Sequence, residues 1–321
     1  MGRASHSRGG DSTPRTEVVV NANAAAFAAD PALSARVRAA ARGAARVVVT
    51  RTQGELRSAA TEMQRSGAER VVLCGGDGTF MGGITALADA GFDPLPELVF
   101  APGGTVATVA RNLGQRRQLL EVVRAACDGS TGLVRVEHPT LAVAETGGVT
   151  RVGFIFGTGL VARFFQRYYA SGAGGYAAAA RIVARVFVGS FVSDAYSRSV
   201  LDPLPCRLWV DGRELAPRAY SLVVSSVVRD LGLHMLVTHR AGEDPERPHL
   251  VAAPLSARRL GPQAPRVLLG RRLRGAGCFD DLVGELSLRF PDGPGPYVLD
   301  GDLFRAEELR VSAGPRIRVL V

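Results

Sequence analysis

The sequence predicts an α/β domain built on a parallel sheet, followed by a mostly antiparallel β domain, with a cleft between them. Three observations carry this. Short apolar runs alternate with helical segments as far as Gly132, two of those runs end in glycine–threonine loops, and β-branched alternation broken by Gly-Gly and Asp-Gly pairs fills most of the rest. Short continuous apolar strands alternating with helices belong to parallel sheets covered on both faces. Turn-bounded alternation belongs to hairpins.

Taken in order, residues 1–15 are rich in Gly, Ser and Arg and lack an apolar core, which predicts a disordered lead-in and no secretory signal. Glu17–Asn21 (EVVVN) reads as a first strand, and Asp30–Ala45 as a helix with a proline near its start. Arg46–Thr50 (RVVVT) is a second strand, Gln53–Ser66 a helix, and Glu69–Cys74 a third strand. Phe80–Ala90 is the helix after the first glycine loop. Leu98–Ala101 is a fourth strand, with helices over Thr105–Leu113 and Arg116–Cys127. This gives an α/β domain over 16–132 and a β-rich domain over 133–321, whose last segment, about 297–321, is expected to return to the cleft. Leu160–Val192 interrupts the β pattern: it reads as helical, with a break at Gly172–Gly175.

Composition narrows the chemistry. The 321 residues suffice for two cores. No apolar run approaches the roughly 20 residues that span a bilayer, so a cytoplasmic location is expected. Cys74, Cys127, Cys206 and Cys278 show no paired spacing and read as packing residues. All 39 basic residues are arginines. A P-loop lysine and a Schiff-base lysine are therefore excluded, and anions must be held by backbone N–H groups and arginine. The net charge of +9 suits an anionic partner. There is no aromatic-basic RNA signature or recognition helix, so nucleic acid is not expected.

The chemistry concentrates at strand ends. VVLCGGDGTF (Val71–Phe80) runs a strand into Gly75, Gly76, Asp77, Gly78 and Thr79. Bare glycine amides at a helix N-terminus can donate to phosphate; an acid among them suits a cation or a substrate hydroxyl, but equally an Asp cap on a tight turn. FAPGGT (Phe100–Thr105) repeats the grammar with Gly104 and Thr105. Asn21 and Thr50, at the ends of the first two strands, complete a polar row at one sheet edge. Far along the chain, YVLDGDLF (Tyr297–Phe304) places Asp300 and Asp302 about one glycine. That is β-turn chemistry or a carboxylate able to act as general base.

Together these motifs resemble the diacylglycerol kinase catalytic-domain family, which includes bacterial lipid kinases, sphingosine and ceramide kinases, and is related to NAD kinases. The resemblance runs from about Val18 to the C-terminus. It implies a nucleotide domain plus a β-sandwich, and transfer of the ATP γ-phosphoryl group to a lipid hydroxyl with Mg²⁺. On that basis Gly75, Gly76, Asp77, Gly78 and Thr79 line the ATP phosphates, with Asn21, Thr50, Gly104 and Thr105 completing the nucleotide site. Asp77 stands at the metal, and Asp302 is the candidate base, with Asp77 and Asp300 as further catalytic carboxylates. The chain departs from the family where Met81-Gly82 replace an Asn-Glu pair, where Val106-Ala107-Thr108 replace Gly-Asn-Asp, and where Asp302 replaces Glu. A soluble-substrate kinase such as an NAD kinase, or a degenerate binding protein, is the alternative; a long apolar groove favours lipid and a second polar pocket favours NAD. Arg163 and Arg167 are candidates to neutralise phosphate, though a solvated helix face is the simpler reading of both. The aromatic and arginine side chains of Leu160–Val192 suit an anionic membrane surface, an acyl pocket or a buried helix pair. Arg271, Arg272 and Arg274 suit acidic headgroups or an exposed loop. The expected partners are a lipid substrate at an anionic membrane, with peripheral association, and a second copy of the chain as a homodimer.

Overall fold

The computed structural model describes residues 14–104, 107–128, 132–172 and 175–321. Its first sheet starts from four parallel strands, β1 (Thr16–Asn21), β2 (Ala45–Thr50), β3 (Arg70–Gly75) and β4 (Glu97–Pro102), in the order β2-β1-β3-β4. The sides of β1 alternate: Val19 packs with Leu73, Leu98 and Phe100 on one face, Val18 and Val20 with Val72, Val99 and Ala101 on the other. Burial on both faces explains why these strands read as unbroken apolar runs. The chain steps from β1 to β2 on one side and to β3 on the other. Ligands of open α/β sheets bind at such a switch point, outside the carboxyl ends of the strands. Those ends are level here, Asn21 opposite Thr50 and Gly75 opposite Pro102.

The helix Gln53–Ser66 begins as its sequence dictates. Thr52 accepts from the Glu55 amide while Glu55 reaches back to the Thr52 amide, and Gly67 closes the far end at φ 69°. The expected helix over 30–45 is instead two short helices, Ala25–Ala29 and Leu33–Ala40. Asp30 separates them, its carboxylate accepting from the Ala32 amide ahead of the second. The helix expected from Phe80 starts earlier, at Asp77.

The first sheet also draws on the later chain. Ile317–Leu320 lies beside β4, and Arg135–His138 pairs antiparallel with it at the edge. The first layer is therefore not confined to 16–132: it takes a strand from beyond Gly132 and the final strand of the chain. The remainder forms, among the described residues, two six-stranded antiparallel sheets and a two-stranded one. In one, Leu222–Ser226 and Ile155–Gly159 are central, flanked by His249–Ala253 and Gly295–Leu299. Alternation sorts its residues. Val223, Leu250 and Ala252 face the core shared with the other sheet, while Leu222, Val224 and Val251 face a cover of helices that includes Leu160–Ala170, Tyr176–Val192 and Ala195–Leu201. The helical reading of Leu160–Val192 thus resolves into helices packed over a sheet.

Candidate active site

Three glycines of the first loop are bare because protein atoms lie against them. A Cβ on Gly75 would strike the Thr79 side chain at 2.2–2.7 Å, one on Gly76 would come 3.2 Å from the Gly104 Cα, and one on Gly78 would lie 2.6 Å from Asp302 Oδ2. The converse contact is tighter, since a Cβ on Gly104 would reach Gly76 Cα at 2.5 Å. The two glycine loops therefore stack backbone on backbone, helped by the Gly103 amide donating to the Gly75 carbonyl at 2.7 Å. Asn21 joins them by donating to Thr79 Oγ1 at 2.8 Å. Thr50 is buried, its hydroxyl directed to the Val20 carbonyl. Thr105 lies outside the described residues.

The carboxylates differ in their partners, and this separates their roles. Asp77 Oδ2 accepts from the Thr108 amide at 2.8 Å and Oδ1 from the Val109 amide at 2.9 Å. It thereby caps the helix Thr108–Asn112, whose preceding residue, Ala107, sits at φ 50°. The cap is real, but it serves the neighbouring loop's helix rather than Asp77's own. Burial pushes the Asp77 carboxyl up to about 6 against the pull of those amides and of Arg111. With both oxygens turned to amides, Asp77 does not fit the part of a Mg²⁺ ligand.

Asp300 and Gly301 form the turn of the hairpin Gly295–Leu299/Asp302–Ala306, both at positive φ (48° and 95°), as a two-residue Asp-Gly turn of type I′ requires. The Asp300 carboxylate is buried and accepts from the Ile155 amide at 2.8 Å and the Phe154 amide at 3.0–3.1 Å. Burial first, then the charges of Asp77 and Asp302, hold it well above the ordinary carboxylate range. In place of a catalytic geometry, Asp300 has that of a clamp fixing the turn to the strand Ile155–Gly159. Asp302 is different. Among the described residues no donor reaches its carboxylate, which lies against Gly78 and is raised by burial alone. Beside it, Tyr169 Oη donates to the Gly301 carbonyl at 2.9 Å.

Two cavities meet at Asp302. One, of about 330 Å³, is lined by Asn21, Asn23, Thr50, Arg51, Thr79 and Gly104 among others, a donor set suited to an anionic, hydrogen-bonding ligand. The other, of about 430 Å³, runs under the helical cover past Phe164, Phe165, Val183, Phe187 and Met235. Gly76, Gly78 and Asp302 line both. The helix Leu160–Ala170 turns its aromatic face to the second cavity, with Phe164 stacked on Tyr168 and edge-on to Phe165.

Neither Arg163 nor Arg167 lines either cavity. Arg163 donates to the Asp202 carbonyl, and Arg167 bonds Ser199 and lies over the Tyr196 ring, so both face the helix Ala195–Leu201. The arginine that lines the polar cavity is Arg51, next to Asn23, which donates to the Arg51 carbonyl at 2.7 Å. Arg51, Asn23 and Gln53 lie one to three residues past the ends of β1 and β2, a position that could have singled them out.

The strand-end crevice, paired glycine loops and carboxylate hairpin belong to a two-domain fold of one mixed and two antiparallel six-stranded sheets. Residues 15–137 match the family model of the diacylglycerol kinase catalytic domain, which bears out the resemblance to that family. No curated protein matches the chain in sequence. Among solved structures it is similar to a diacylglycerol kinase from Bacillus anthracis str. Sterne, at 15% identity and TM-score 0.59 over 95% of this chain and 96% of that one. Two further structures from that organism, whose assignment as diacylglycerol kinases is itself provisional, match at 13% and 15% identity with TM-scores of 0.64 and 0.66 over the same shares. At these identities the likeness speaks to the fold.

Proposed function

We propose that the protein is an ATP-dependent lipid kinase. The observation that carries the reading is Asp302, whose carboxylate receives no hydrogen bond from any described residue and stands where a polar cavity opens onto an apolar one. ATP occupies the polar side, with its phosphates toward Gly76, Gly78, Thr79 and Arg51, and a lipid hydroxyl enters from the apolar side. The hydroxyl oxygen attacks the γ-phosphorus, its proton passes to Asp302, and the bond from the γ-phosphorus to the bridging oxygen breaks as ADP leaves with the electron pair. Phosphoryl transfer asks little more of a protein than such positioning and charge neutralisation. The family implies that ATP comes as its Mg²⁺ complex. The apolar cavity supports a lipid over a soluble acceptor such as NAD.

No single helix among the described residues is long and apolar enough to cross a membrane. The exposed Phe191, Val192 and Leu269, with Arg271, Arg272 and Arg274, suit an anionic membrane surface as the place where the substrate is met. The test is transfer of label from γ-labelled ATP to a panel of lipid alcohols presented in neutral or anionic vesicles. Labelled lipid, with vesicle binding that needs anionic lipid and weakens with salt, supports the reading. ATP turnover that no lipid accepts refutes it.

A further inference from the structure

We propose that His239, His249 and Asp280 form a binding site for a zinc-class divalent metal, apart from the active site. Among the described residues, these three bring one ligand atom each within 4.8 Å of one another. They come from three pieces of chain. His249 opens the strand His249–Ala253, Asp280 lies on its edge neighbour Phe279–Leu282, and His239 stands in the connection between Ser226 and His249. His249 and Asp302 lie on strands four places apart in one sheet, roughly 19 Å at about 4.8 Å per strand. The connection that holds His239 also walls the apolar cavity through Leu231, Met235 and Val237. A metal at the three side chains would pin that wall to the edge of the sheet.

The partners of the three side chains fit a metal. The His249 side chain is fully buried and that of Asp280 is 9% exposed, and Asp280 Oδ2 is buried with no hydrogen-bond partner among the described residues. A buried carboxylate oxygen left unpaired carries a desolvation cost that a cation offsets. His239 Nδ1 lies 3.3 Å from the Val237 carbonyl. Its N–H is directed there and Nε2 keeps a free lone pair, the usual way a metal-binding imidazole is oriented. His249 Nε2 lies 3.0 Å from Asp280 Oδ1, while its Nδ1 faces the Arg240 amide at 3.3 Å. Without metal, Nε2 holds the ring proton against the carboxylate. A metal takes that proton's place, and the proton moves to Nδ1 at the cost of the long amide contact. Donors about 2.0–2.1 Å from a tetrahedral zinc stand about 3.3 Å apart. The His249–Asp280 pair is already near that spacing, and His239 has to close by at most about 1.5 Å (4.8 − 3.3) from a position outside the strands. Two imidazoles and a carboxylate suit zinc, whereas Mg²⁺ takes oxygen ligands. Arg272 Nε, 3.5 Å from Asp280 Oδ1, opposes a cation, but its side chain is 59% exposed and can swing out. Arg240 is held away by Glu243 and Asp281.

The experiment titrates the full-length protein, first stripped with a chelator, with Zn²⁺ alone. One zinc per chain should bind and raise the melting temperature, and a large excess of Mg²⁺ should not displace it. His239→Ala and Asp280→Asn should each weaken zinc binding at least about tenfold, since losing even a group that orients a ligand costs about 10- to 100-fold. The metal-free melting temperature reports whether each variant folds. His234→Ala removes an exposed imidazole outside the cluster and should bind zinc as the wild type does. Arg272→Ala removes the opposing charge and should bind it more tightly. Absence of zinc binding by the wild type, zinc affinity retained by folded His239→Ala or lost in His234→Ala, weaker binding by Arg272→Ala, or displacement by Mg²⁺ overturns the proposal. Where neither ligand variant folds, imidazole resonances of the wild type decide. Zinc should shift those of two of the five histidines, and any other number counts against the site.

Discussion

Gly78→Ala tests the assignment of Asp302 without touching the carboxylate. The added Cβ would stand 2.6 Å from Asp302 Oδ2, 2.8 Å from Oδ1 and 2.9 Å from Cγ, whereas ordinary contact begins at 3.4 Å. Relief requires the carboxylate to withdraw by 3.4 − 2.6 = 0.8 Å. The helix itself tolerates the change, since Gly78 is its second residue and alanine is the better helix former by up to about 1 kcal/mol. A displacement of about 1 Å in reacting geometry can cost about 100-fold in rate, and loss of a general base about 100- to 10,000-fold. Gly78→Ala should therefore lower kcat about 100-fold with the melting temperature held or raised, and Asp302→Asn should lower it by at least as much. Because both act through one carboxylate, the double variant should be no slower than Asp302→Asn alone. The assay is phosphoryl transfer to lipid in mixed micelles, with nucleotide affinity measured separately. Full turnover by Gly78→Ala, or losses that multiply in the double variant, would refute the reasoning.

Gly104→Ala should weaken ATP binding at least tenfold, because its Cβ must push against the backbone of Gly76 at 2.5 Å and part the loops; unchanged affinity by calorimetry would separate the loop stack from nucleotide binding. Asp77 gives a pH prediction. Its folded pKa of about 6 lies above the ordinary 3.8, so its contribution is fully present below pH 3.8 and is lost as pH rises through 6, a difference of up to about 3 kcal/mol. Denaturant titrations from pH 4 to 7 should show wild-type stability falling more steeply with pH than that of Asp77→Asn, and equal slopes would count against the burial of its charge. Ala107→Gly should stabilise by about 1 kcal/mol, since only glycine takes the left-handed conformation without cost; a lower melting temperature would contradict it.

Features that rest on local rules were legible in the chain alone. The parallel sheet followed from unbroken apolar runs such as Val18–Val20, whose residues alternate between two buried faces. The helix Gln53–Ser66 followed from its own capping box and terminal glycine. The Asp-Gly-Asp hairpin and the glycine loops could likewise be placed at strand ends. What those residues touch depends on segments far apart in the chain, and only the tertiary structure decided it. No spacing states that Gly78 is bare for Asp302, 224 residues away (302 − 78). Nor does it state that Asp77 caps the next loop's helix while Asp300 clamps Phe154 and Ile155. Three carboxylates that look alike in sequence were told apart by their donors, because hydrogen-bonding geometry and desolvation are properties of a neighbourhood, and the neighbourhood exists only once the final hairpin has folded back onto the first domain.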